Sequence, residues 1–251
     1  MNINTNLFDN YPEVIRIKIC NVLKDIIFET FVYTADSDYI NARFLSLNFQ
    51  YRPFFWPALH AIEKYLKANL LFYGVSVKDR KYGHNINFLA EELCKYTDLL
   101  KNLKLHPHQE HAMLAEHTLW GTDDVETFLK SLEEYGNPSN RYNYYGSEYE
   151  ASYLLKLDQV VYALRTNVAG NEILHPLRKN SSLSYFAYEQ NYCFAPSSYN
   201  HESMCGKFGL GSSVPALEAA LKGLYGNANI FEAWVNQNMY FGKNEIQKIK
   251  C

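Results

Sequence analysis

Apolar residues recur at helical spacing over most of the first two-thirds of this chain. Ile15, Ile19, Val22, Leu23, Ile26 and Ile27 predict an amphipathic helix from Glu13 to about Thr30, with Pro12 at its start. A break is expected near Thr34-Ala35-Asp36, with Asp36 or Ser37 capping a second helix that runs to Asn48. Tyr39, Ala42, Phe44, Leu45 and Phe49 supply its apolar surface. Gln50-Tyr51-Arg52-Pro53 reads as a second break. The clearest pattern follows: Phe55, Leu59, Ile62, Leu66, Leu70 and Tyr73 lie on one stripe of a helix that starts at residues 55–57 and stops at Gly74.

Val75 to Asn85 is polar and basic. Asn85 or Asn87 then caps a helix carrying Phe88, Leu89 and Leu93, and the pattern can be extended through Leu99 and Leu100. Asp123 with Glu126 resembles a capping box for a helix through Glu134. The cluster at residues 136–140 is a turn. A last clear helix spans Tyr149 to Arg165 and packs Leu154, Leu157, Val160, Val161 and Leu164. From Asn167 to Ser213 the periodicity fades, and Tyr185-Phe186-Ala187-Tyr188 fits a strand or a packed loop. Helical spacing returns at Val214–Tyr225 and Phe231–Tyr240. The expected fold is all-α: a helical bundle over residues 1–166, then a mixed, mostly helical and loop-rich extension over 167–251 with two short helices.

Composition narrows the class. Of 251 residues, 47% are hydrophobic and 16% aromatic, which excludes disorder as the main state. No stretch approaches the length of a membrane span, and the N-terminus has neither basic nor apolar regions of a signal peptide. Five dispersed cysteines without a Cys-x-x-Cys suit free thiols in a reducing compartment, so a cytoplasmic location is expected. The formal charge of −3 argues against a generic duplex-DNA coat. It divides unevenly, however. Residues 60–84 hold Lys64, Lys67, Lys78, Arg80 and Lys81 against Glu63 and Asp79, a local +3 beside His60 and His84. Such a cation cluster suits phosphate, although Glu63 and Lys67 also read as an ordinary i,i+4 pair.

Asp38-Tyr39 and Ala42-Arg43 precede the run Glu63-Lys64-Tyr65-Leu66-Lys67-Ala68, which is followed by Lys81-Tyr82-Gly83-His84-Asn85. With Arg141-Tyr142 further on, this order resembles the HEPN family, the helical domain of higher eukaryotes and prokaryotes nucleotide binding, over residues 15–165. The resemblance implies an up-and-down bundle, frequently a homodimer. Its members are either metal-independent ribonucleases of toxin–antitoxin and defence systems, or non-catalytic proteins that bind nucleotide or partner a nucleotidyltransferase.

The catalytic members carry Arg-x(4–6)-His, in which Arg steadies the phosphate and His moves the 2′-hydroxyl proton. No histidine here completes it: Arg52 precedes His60 by seven intervening residues, and Arg80 precedes His84 by three. Pro53 and Pro57 are expected to separate Arg52 from His60 by a helix start. The leading expectation is therefore a non-catalytic protein binding nucleotide or RNA through Lys64, Lys67, Arg80, Lys81, His84, Arg141 and Tyr142. The alternatives are a divergent ribonuclease using Arg43, Arg141 and a histidine, and a structural interaction module presenting Trp56, Trp120 and Trp234. No cofactor and no metal set is expected. His108, His111 and His117 with Glu110 and Glu116 match no metal-ligand spacing, and Gly206 to Ser213 lacks the order of a phosphate loop and reads as a flexible loop.

Overall fold

The computed structural model describes residues 3, 9–79, 82–106, 124–137, 148–150, 152–169, 193 and 207–209. These form helices α1 (Glu13–Ile27), α2 (Tyr33–Leu47), α3 (Tyr51–Phe72), α4 (Ile86–Leu93), α5 (Val125–Gly136) and α6 (Ser152–Ala169). A short antiparallel pair, β1 (Glu148–Glu150) with β2 (Lys207–Gly209), sets Tyr149 opposite Phe208. Lys207 to Gly209, expected in a flexible loop, is thus strand. The fold is all-α in character. No described helix is long and apolar enough to cross a membrane.

Helix α3 is the hub, with α2, α4, α5 and α6 all packed on it. The stripe expected from periodicity is buried at Phe55, Leu59, Ile62, Leu66 and Leu70, but so are Phe54, Ala58, Ala61, Tyr65, Ala68 and Phe72. A helix apolar on nearly every side belongs inside a bundle. Its partner α6 buries Leu154, Leu157, Val160, Val161 and Leu164, all expected core positions. This helix runs on to Ala169, so the expected boundary at residue 166 falls inside it. Tyr149 belongs to β1, not to that helix, and is buried with its ring stacked on Tyr51 at 4.4 Å. The two helices expected at 214–225 and 231–240, and the aromatic stretch 185–188, lie outside the described residues.

The expected break at residues 34–36 does not occur. Helices α1 and α2 join without a loop through a π-helical segment, Phe28–Val32, closed by the Tyr33 amide donating to the Phe28 carbonyl. Thr34 and Ser37, read as break or cap residues, donate their hydroxyls back to the carbonyls of Thr30 and Tyr33. That bonding lets a short polar side chain stay inside a helix. Asp36 caps nothing. It is buried and accepts a two-pronged bond from Arg165, at 3.0 and 3.2 Å, together with the Tyr65 hydroxyl. A second buried set lies one to two turns away: Asp158 accepts from Tyr39 at 2.6 Å and from Arg43. Cys193 lies close to this pair, and burial with the Asp158 carboxylate pushes its thiol up to about 12. These bonds fix the register of α2 against α6.

The apolar face of α1 is the second departure. Of its six periodic residues only Ile27 is buried, while Ile15, Val22 and Ile26 face solvent. Elsewhere the ends of helices follow local chemistry. Asn85 caps α4 by accepting from the Phe88 amide at 2.8 Å, while Asn87 donates to Glu133. Helix α4 stops at Leu93, so Leu99 and Leu100 belong to the following turns. Asp124, one residue after the expected cap, accepts from the Glu126 and Thr127 amides at the start of α5. Helix α3 ends at Phe72, and Gly74 just past it is the expected stop, with φ of 79° and bonds from the Gly74 and Val75 amides to Leu71 and Leu70. Helix α2 ends in the same arrangement with Phe49 in the left-handed position, at φ of 60°.

Candidate functional site

Helix α3 starts at Tyr51, earlier than its periodicity suggests, because Pro53 sits in the first turn where no amide is needed. Arg52 and His60 therefore share one helix, which corrects the expected separation by a helix start. Eight residues of helix set them about 12 Å apart along the axis. Trp56 lies midway, so Arg52, Trp56 and His60 follow one another at steps of four residues along one face.

Beside the first part of this face is a cleft of about 790 Å³. Its walls are Asp38, Asn41, Phe44 and Leu45 from α2, Arg52, Phe55 and Trp56 from α3, and Tyr135 with Gly136 from the end of α5. The last turn of α5 lies directly on α3: a Cβ on Gly136 would stand 2.7 Å from the Phe55 carbonyl oxygen and 2.8 Å from the Leu59 Cβ. Glycine at that position therefore sets the approach of the two helices. The Tyr135 and Phe55 rings meet edge to face at 5.1 Å. Phe44 and Trp56 remain 61% and 41% exposed, an unusual outlay of aromatic surface toward solvent.

One turn further along α3 is a polar cluster centred on Glu63. Its carboxylate is nearly buried, at 7% exposure. Lys67 donates to one oxygen, Oε1, at 2.6 Å. The other, Oε2, faces two ring nitrogens: Nδ1 of His84 at 2.9 Å and Nδ1 of His60 at 3.5 Å. His84 reaches Glu63 because the loop after Gly74 returns to α3 just before the Asn85 cap. The two imidazoles stand nearly perpendicular, with centroids 5.5 Å apart, and the Trp56 ring packs on His60 at 4.3 Å. Burial pushes the Glu63 carboxyl up, but the hydrogen bonds from His60, Lys67 and His84 and the charge of Lys67 outweigh it and hold the carboxyl at about 2. Lys64 points toward α2 and donates to Asp38 at 2.6 Å, which links the cluster to the cleft wall.

Of the residues expected to touch phosphate, Lys64, Lys67 and His84 thus come together around Glu63 and Asp38. Both lysines are ion-paired: Lys67 with Glu63, already counted in the +3 read along the sequence, and Lys64 with Asp38, which lies outside that stretch. Arg80, Lys81, Arg141 and Tyr142 lie outside the described residues, as do His108, His111 and His117. Sequence reading missed the central place of Glu63 and the participation of Asp38, Arg52 and Trp56. The four-residue spacing of Arg52, Trp56 and His60 was the available signal. Comparison of the chain with family models, with curated proteins and with solved structures finds no match.

Proposed function

We propose that this chain is a non-catalytic, HEPN-type protein that binds nucleotide or single-stranded RNA in the cleft between α2, α3 and α5. The observation that carries the reading is the pairing of exposed aromatic rings with a cation in one cleft. Trp56 and Phe44 offer flat faces for a base, and Arg52 offers a planar donor fork for phosphate. Asp38 and Asn41 supply the few polar groups that fix a ligand's orientation in such a site. Lys64, held at the wall by Asp38, adds a second phosphate donor once it turns from that carboxylate. Arg80, Lys81, Arg141 and Tyr142, which lie outside the described residues, are the remaining phosphate and stacking contacts of this reading.

Fluorescence titration of the full chain with a labelled adenine nucleotide and a labelled single-stranded RNA tests this. Saturable binding of at least one probe is expected. Stacking worth about 1–3 kcal/mol per base corresponds to a loss of roughly 5- to 150-fold in Trp56→Ala. Arg52→Ala and the Lys64→Ala/Lys67→Ala pair should weaken binding as well. No binding of either probe, or unchanged binding by Trp56→Ala and Arg52→Ala, rules the reading out. Running the same RNA on a gel after metal-free incubation separates binding from cleavage.

A further inference from the structure

We propose that His60, Glu63 and His84 form a binding site for a divalent transition-metal ion of the zinc class. Two imidazole nitrogens and one carboxylate oxygen are a donor set that suits zinc and its neighbours, and suits magnesium or calcium poorly. The three ligand atoms lie within 4.8 Å of one another. Bonds of about 2.0–2.1 Å in a tetrahedral site place ligand atoms roughly 3.3 Å apart. Here the two contacts to Glu63 Oε2 measure 2.9 and 3.5 Å, on either side of that value.

The rest of the cluster holds the ligands in place. His60 and Glu63 sit one helical turn apart on α3, so a rigid element presents both. Lys67 occupies Glu63 Oε1, which leaves Oε2 as the single oxygen for the ion. Trp56 packs on the His60 ring. Outer contacts of this kind orient metal ligands. His84 is 63% exposed and enters from a loop, so its ring supplies the adjustment that draws the third ligand in. A bound ion takes the Nδ1 lone pair of each imidazole, so each ring then carries its proton on Nε2 and a nitrogen–metal bond replaces each Nδ1 contact to Glu63. Three protein ligands leave a fourth position on the solvent side, where water completes the tetrahedron.

The test uses the metal-free full chain and Zn²⁺ alone, by calorimetric titration, with Co²⁺ absorption as a report of tetrahedral coordination. Wild type should bind one equivalent that His84→Ala and Glu63→Gln each weaken at least 10-fold, together with loss of the Co²⁺ visible band. His84 is exposed, so its replacement leaves the core intact even if Glu63→Gln fails to fold. Comparison with His84→Ala also separates this site from zinc taken up by the histidines at 106–117. The proposal falls if wild type takes up no zinc, or if His84→Ala and His60→Ala retain the same equivalent at wild-type affinity. No nucleotide enters the titration, so its outcome is independent of the nucleotide reading.

Discussion

The Arg43–Asp158 pair invites a double-mutant cycle. Both side chains are only 2% exposed, and Asp158 also accepts the Tyr39 hydroxyl at 2.6 Å. Burial pushes the Asp158 carboxyl up, against the opposing pull of Arg43 and Tyr39. Desolvation is therefore large enough to compete with the pairing. Removing one partner strands a charge in the core, which costs about 3–5 kcal/mol. That is a fifth or more of the roughly 5–15 kcal/mol that holds a typical domain together. Replacing both by apolar residues of similar size removes the stranded charge and its desolvation together, and such exchanges are often neutral or stabilising. Asp158→Leu and Arg43→Met should each lose about 3–5 kcal/mol in urea unfolding of the full chain, followed by circular dichroism. The double variant should lose less than either. If each single change costs under about 1 kcal/mol, or if the double costs the sum of the two, the charges are not mutually dependent and the reasoning fails.

Gly136, Gly74 and Asp124 each carry a test of a described contact. Gly136→Ala places a Cβ against the Phe55 carbonyl and Leu59, so it should destabilise by about 1–3 kcal/mol, read as a lowered thermal midpoint. Gly74→Ala forces a side chain into the left-handed region and should cost about 1 kcal/mol by the same measurement. Asp124→Ala should cost about 1 kcal/mol through loss of the α5 cap. The Thr127 hydroxyl and the Thr127 and Glu126 amides lower the native Asp124 pKa, against a smaller effect of burial. The native state then binds fewer protons than the unfolded one, so this contribution is full above the unfolded value near 3.9 and fades as pH falls through the native value. Asp124→Asn should keep the cap while flattening that acid limb, and an unchanged limb in urea midpoints would count against the assignment.

Core positions were legible where burial follows one local period. Leu59, Ile62, Leu66 and Leu70 of α3, and Leu154 to Leu164 of α6, repeat every three or four residues and are buried. The failures share a cause: partners far away in the chain. Asp36 has the composition of a cap, yet Arg165, 129 residues later, claims its carboxylate. The periodicity of α1 promised a buried face, but periodicity says nothing about whether a neighbouring surface exists to cover it. At the site, Lys64 and Lys67 were readable as a basic stripe. Their carboxylate partners change the meaning: one lies on the preceding helix, and the other is shared with a histidine that returns across 21 residues.

The loop-free junction between α1 and α2 acts as a phase adapter. A π-turn carries one residue more than the α-turn it replaces, and each residue of helix turns the chain by about 100°. Deleting one residue from 28–32 would restore continuous α-helix. The side of α1 now turned outward would then swing by about a quarter-turn relative to the core, while α2 kept its bonds to Arg165 and Asp158. The five residues Phe28–Val32 thus set the direction in which Ile15, Val22 and Ile26 look.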